Sequence, residues 1–271
     1  MSLVVSWLGT DSHGYTSAYI ASDSRVSWDD TKEKYDSCRK TYFSKRFPDI
    51  AGYCGDVLFP TLILQSLFEL IDSKVLINDN TTCSERFHIL SNKITEEISK
   101  YPTNRTTGSF EILYIGHELT NDNYPDFKAF KYKWSKISKP KISNIVLPNN
   151  SDLIDVMGSG KSCFYESFNK YIKNKTKTTR YIFHSLILAL KNMVDSHCGG
   201  APQLVGLYRK PNIGAFSYGI IYNKQRYYNG IRIDTFNGIN NIEWRNENFE
   251  ICDGRTKKRK VTSMKQPMFQ N

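Results

Sequence analysis

The segments of this chain follow one another in blocks. β-rich stretches come first, then two helical stretches, then strands, two more helices, and strands again. Blocks segregated in this way argue against a succession of βαβ units and predict an α+β domain built in layers. Residues 2–8 and 16–22 are β-rich and flank the turn cluster Thr10-Asp11-Ser12-His13-Gly14, which predicts a hairpin. A second strand pair is expected around Phe47-Pro48-Asp49, running from Lys40-Thr41-Tyr42-Phe43 to Ile50-Ala51-Gly52. Pro60 suits the first turn of a helix whose apolar face is Leu64, Leu67, Phe68 and Ile71. Ser84 is the expected N-cap of a second helix bearing Phe87, Leu90, Ile94 and Ile98. Strands are expected at 109–116 and 127–134, loop over 135–152, and helices after Gly158-Ser159-Gly160 and over 179–195. Short strands at 204–207, 215–222 and 227–231 complete the pattern.

Composition narrows the functional classes. No apolar run of the length needed to span a bilayer occurs, and the N-terminus lacks a basic region followed by an apolar one, so neither a membrane segment nor a secretory signal is expected. The six cysteines are scattered with no C-x-x-C pair, which argues against a zinc knuckle or a disulfide framework and for a reducing, cytoplasmic setting. No metal or other cofactor is expected. The net charge of +10 is concentrated: Arg255, Lys257, Lys258, Arg259, Lys260 and Lys265 follow residue 254 with no acid among them. The plain reading is a solvated terminus; the sharper one is an arm for nucleic acid or an acidic partner.

Ser2 is the first candidate for chemistry. Once Met1 is removed, one residue carries a hydroxyl and a free α-amine, and an α-amine titrates near pH ~8, so it can serve its own hydroxyl as general base. Hairpin topology returns Asp23 beside residue 2. Lys40 starts the next strand, where a lysine beside a carboxylate can lower the hydroxyl's pKa or relay its proton. Gly52, in Ala51-Gly52-Tyr53, could let a substrate carbonyl approach a backbone N–H. Arg25 is expected to pair structurally, and Ile50 to line an apolar pocket. Gly158-Ser159-Gly160-Lys161-Ser162 imitates a phosphate loop, but Asp155 stands where that pattern needs its first glycine, so a turn opening a helix is expected instead. In Asp195-Ser196-His197-Cys198-Gly199-Gly200 the glycine pair reads as a helix stop, and the adjacent His197 and Cys198 are not expected to face each other as a dyad. Asn80-Thr81-Thr82 and Asn104-Arg105-Thr106 match the glycosylation sequon, which carries no weight without a signal peptide.

Taken in order, these pieces resemble the proteasome β-subunit family of N-terminal-nucleophile hydrolases. The matching segments are Ser2–Leu8, Ala18-Tyr19-Ile20-Ala21-Ser22-Asp23-Ser24-Arg25, Lys40, Gly52 with Asp56, Gly158-Ser159-Gly160, and Asp195 through Gly200. The resemblance implies a four-layer αββα sandwich, two antiparallel sheets between helix layers. It implies amide hydrolysis through an acyl-enzyme on Ser2, with Asp23, Lys40, the Gly52 N–H, Ser159, Asp195 and Cys198 in supporting roles. It also implies a peptide or unfolded-protein substrate, a homo-oligomer such as a ring, and an ATPase or other partner that delivers substrate. The chain departs from the family in having serine for threonine, Cys198 for a serine, a longer first hairpin, and extra length over 119–152 and after about 210. The expected division is a hydrolase-like domain over 1–254, family-like over 2–210 with an extension over 211–254, and a basic tail over 255–271. Rival readings are a non-catalytic structural subunit, a nucleic-acid-binding protein acting through the tail, and a small-molecule amidase.

Overall fold

A computed structural model describes residues 2–28, 33–102, 108–120, 124–172, 178–210 and 214–263. Strands β1 (Val4–Asp11) and β2 (Gly14–Ser22) form the first hairpin, closed tightly at Gly14, whose φ of 99° favours glycine. The ribbon β3 (Val26–Ser27) with β4 (Lys34–Tyr35) is a small sheet of its own. The strands β5 (Thr41–Phe43) and β6 (Asp49–Gly55) follow, then α1 (Leu58–Asp72) and α2 (Cys83–Lys100). The next strands are β7 (Ser109–Leu119), β8 (Pro125–Ser135), β9 (Ser138–Ile145) and β10 (Asp152–Met157). After α3 (Lys161–Ile172) and α4 (Thr179–Lys191) come β11 (Gln203–Tyr208), β12 (Phe216–Tyr222), β13 (Gln225–Tyr228), β14 (Ile231–Arg232), β15 (Trp244–Asn246) and β16 (Ile251–Cys252).

One nine-stranded sheet runs β10-β1-β2-β11-β12-β13-β14, with β15 and β16 branching from β12; a five-stranded sheet runs β5-β6-β7-β8-β9. Their facing sides meet in an apolar layer containing Val4, Ile20, Ile50, Leu113 and Val205. The other side of the large sheet packs on α3 and α4 through Leu3, Trp7, Phe164, Phe183 and Leu186. The other side of the small one packs on α1 and α2 through Tyr53, Leu64, Phe87, Ile94 and Tyr114. Ile50 is fully buried in the inter-sheet layer, so it fills core rather than lining a pocket.

The expected αββα sandwich is corrected by this architecture. Among the described residues the protein is mostly β, with 38% strand and 25% helix; their four helices do not build helical layers, and they form three sheets. The added strands explain the difference. β12 pairs antiparallel with β11 and β13 but parallel with β15, so the sheet branches over the segment after residue 210. The expected loop over 135–152 contains β9, an edge strand mostly exposed, which therefore lacks the alternation that betrays a half-buried strand. Helix α2 is capped at Thr82, not Ser84: Thr82 and Glu85 form a capping box, Glu85 N–H donating to Thr82 Oγ1 at 3.3 Å and Thr82 N–H to Glu85 Oε2 at 2.8 Å. Helix α4 stops at Lys191, short of the expected Asp195. The Asn104 sequon and Lys265 lie outside the described residues. No helix among those residues is long and apolar enough to cross a membrane.

Candidate active site

Ser2 lies two residues before β1, which sits between β10 and β2, so the most buried part of the large sheet fixes the residue's position. The neighbouring strand β2 ends at Ser22, and Asp23 turns back toward the start of β1: Leu3 N–H donates to Asp23 Oδ1 at 3.0 Å, and Asp23 N–H to Leu3 C=O at 3.2 Å. Lys40 comes from the facing sheet, one residue before β5. Its ammonium donates to Ser2 Oγ at 2.9 Å, Asp23 Oδ1 at 2.9 Å and Arg25 C=O at 2.5 Å. Three donors meet three acceptors, the whole capacity of an ammonium. Ser2, Asp23 and Lys40 are each 0% exposed.

Asp23 is equally occupied. Besides Lys40 and Leu3 it accepts from Arg25 N–H at 3.2 Å and Gly199 N–H at 3.1 Å, both on Oδ2. Buried charges persist in proteins when they are paired and their remaining hydrogen-bonding capacity is used, as it is here. Gln203, 1% exposed and absent from the expected set, ties the strands together: its Oε1 accepts from Lys40 N–H at 3.0 Å, and its Nε2 donates to Asp23 C=O at 3.2 Å and Cys38 C=O at 2.7 Å. The only sequence signal for it is a polar residue opening the apolar run Leu204–Leu207.

Gly158-Ser159-Gly160 wraps the carbonyl of Ser2. Gly160 N–H donates to Ser2 C=O at 3.3 Å, and a Cβ at Gly158 would stand 1.9 Å from that oxygen; its φ of 94° favours glycine independently. Ser159, Asp195 and Cys198 form their own cluster. Ser159 Oγ lies 3.6 Å from Cys198 Sγ, which donates to Asp195 Oδ2 at 3.4 Å, while His197 N–H donates to Asp195 Oδ1 at 2.9 Å. Burial alone would raise Asp195, but the hydrogen bonds from Ser159, His197 N–H and Cys198 outweigh it and hold the carboxyl below its ordinary value. Burial, reinforced by the negative charge of Asp23, pushes the Cys198 thiol up to about 12. A thiol so held is a poor nucleophile at neutral pH. His197 points elsewhere, its Nδ1 2.7 Å from Ser27 Oγ, so no Cys-His dyad forms.

Arg25 pairs as expected. It binds Asp36 bidentately at 2.7 and 2.8 Å and reaches Ser196 C=O at 3.2 Å and Cys198 C=O at 3.3 Å, holding the Asp195–Gly200 segment against Asp23. Asp155 pairs with Lys131 from the opposite sheet, and the segment before Gly158 is the strand β10. Gly52 does not take the expected part. Tyr53 N–H donates to Lys40 C=O, on the β5 side. Alternation along a strand turns Gly52 N–H the other way, into the ladder with β7 opposite Leu113. Glycine is required there for packing instead, since a Cβ would meet Ile20 Cγ2 at 2.7 Å.

No family model and no curated protein matches the chain. Among the described residues no cluster of His, Cys, Asp and Glu could hold a metal ion. What the arrangement can do chemically follows from its parts. A hydroxyl next to a buried, fully bonded ammonium has its alkoxide form favoured by charge, and the ammonium, with all its protons engaged, cannot itself accept another.

Proposed function

We propose that the chain is a peptidase or amidohydrolase whose nucleophile is Ser2 after removal of Met1. The observation that carries this reading is the Lys40 ammonium bridging Ser2 Oγ and Asp23 Oδ1 at 2.9 Å each, from two different sheets. Ser2 Oγ attacks the amide carbonyl, and its proton passes to the Ser2 α-amine, which then gives it to the departing amine. An ester to Ser2 remains, and water hydrolyses it by the same route. Lys40, held by Asp23, favours the alkoxide electrostatically and keeps its own protons. Ser159 and Asp195 act by orienting the α-amine, and Cys198 supports Asp195.

Ser2 is 0% exposed before Met1 is lost, so the reading requires that loss of Met1 open the hydroxyl to substrate. The substrate class is a peptide or unfolded chain, delivered into a homo-oligomer such as a ring. Six free thiols support a reducing compartment, the cytoplasm.

The test is hydrolysis of a panel of fluorogenic peptides by the protein made in cells. Ser2→Ala and Lys40→Ala are each expected to lower turnover by at least ~10³-fold, while Cys198→Ser keeps it within a few-fold. Wild-type turnover in Ser2→Ala would end the proposal, and absence of hydrolysis with a Ser2-led chain would favour a structural subunit.

A further inference from the structure

We propose that the folded first part of the basic C-terminal segment, together with Phe236, is a docking ridge for single-stranded nucleic acid. The starting point is that Arg255–Ser263 is not a loose tail. Lys257 N–H donates to Asp253 C=O at 2.8 Å, Asp253 N–H to Lys258 C=O at 2.9 Å, and Lys260 N–H to Ile251 C=O at 2.8 Å. Ser263, 6% exposed, accepts from Ile251 N–H at 3.1 Å, and Arg259 bridges to Cys252 across the turn.

Five cations in six residues are thereby held in one place. No ion pair among the described residues joins Arg255, Lys257, Lys258, Arg259 or Lys260 to a carboxylate. The nearest acid in sequence, Asp253, is occupied by Thr256 N–H at 2.7 Å and Asn240 Nδ2 at 3.3 Å. Lys257 Nζ donates to Lys224 C=O at 2.8 Å and Arg259 to Ser263 C=O, but ordering like charges without counter-ions costs stability, and Lys257 adds the strain of a φ of 61° outside glycine's preserve. A polyanion relieves that repulsion on a track already formed.

The second observation is an aromatic ring beside the track. Phe236 is 49% exposed, and the guanidinium of Arg226 lies 4.6 Å from its centroid. Arg226 is itself buried and donates to Gly254 C=O at 3.2 Å and Arg255 C=O at 3.4 Å, so it joins the ring to the basic turn. A rigid ring backed by a cation, next to phosphate-binding side chains, is what an unpaired base stacks on. A duplex keeps its base faces to itself, and an acidic protein has no use for an exposed ring placed there. Single-stranded nucleic acid is therefore the occupant that uses both features. This inference is independent of the hydrolase proposal.

The experiment is fluorescence anisotropy of the full chain with a labelled oligo-dT and oligo-U of about 20 nucleotides, longer than one such track. With about four phosphate contacts, affinity should fall roughly 50-fold between 50 and 200 mM salt. The exposed triple variant Arg255→Gln/Lys258→Gln/Lys260→Gln should bind weakly, with only about a threefold fall over that range. Phe236→Ala should weaken binding roughly tenfold and leave the salt dependence unchanged. The inference is overturned if no binding occurs at 50 mM salt, if the triple variant binds like the parent, if a duplex binds more tightly, or if poly-glutamate binds and the oligonucleotides do not.

Discussion

Lys40 Nζ and Asp23 Oδ1 are 2.9 Å apart with neither side chain exposed, and the same nitrogen holds Ser2 Oγ. One buried ion pair thus locks the start of β1, the end of β2 and the start of β5 to one another. It contributes to the fold and to the proposed chemistry at once, and the two contributions can be separated.

Lys40→Met leaves a buried carboxylate without its cation and should destabilise the protein by about 3–5 kcal/mol. The double variant Asp23→Asn/Lys40→Met removes both charges and should regain more than half of that loss while remaining inactive. Urea unfolding of the four proteins measures the cycle. A single variant as stable as the parent would mean the pair is not buried as described.

Gly158→Ala should be strongly destabilising, by at least ~2 kcal/mol, because the new Cβ meets the Ser2 carbonyl and the backbone sits at φ 94°. Gly108→Ala makes a control, since its φ of 134° is also unfavourable but nothing stands within 4 Å of a Cβ there. The midpoint difference between the two variants isolates the cost of crowding Ser2. Equal effects would show that backbone strain alone is at issue.

Stability should decline in mild alkali for a reason traceable to the thiols that burial raises, Cys83, Cys163 and Cys252 among them. Burial pushes Cys54 and Cys198 up to about 12, against an ordinary value of 9.0. Above pH 9 the unfolded chain releases protons that the folded chain keeps, so stability falls as pH rises from 9 toward 12. The slope is about 1.4 kcal/mol per pH unit for each thiol. Cys198→Ser should remove one such slope, which thermal melts at pH 8, 9 and 10 will register. An unchanged slope would place Cys198 in contact with solvent.

Much of this organisation was legible in residue order. The Ser2–Asp23 pair follows from hairpin geometry, because a strand returning from Gly14 must end beside the residue where its partner began, whereas Lys40 reaches it from the facing sheet. The buried faces of α1 and α2 follow from apolar spacing, and all eight residues named for them are buried. What stayed hidden depends on relations between distant segments. Gly52 reads as an oxyanion donor until its neighbour's bond to Lys40 C=O fixes which way its N–H points. Gln203 gives no local hint that both ends of its amide are spoken for. β9 has Pro140 and exposed side chains on both faces, so only pairing with β8 makes it a strand. After residue 210, β12 and β13 fall where strands were expected, at 215–222 and 227–231, whereas β14, β15 and β16, of two or three residues each, are too short to announce themselves by period.

The most direct measurement is intact and tandem mass spectrometry of the cell-made protein after reaction with a peptide epoxyketone. That reagent closes a ring only when a hydroxyl and an α-amine belong to the same residue. The account predicts a chain lacking Met1 that carries one reagent on Ser2, with no adduct in Ser2→Ala. A chain that keeps Met1 and takes up no reagent, or an adduct on Cys198, would contradict it.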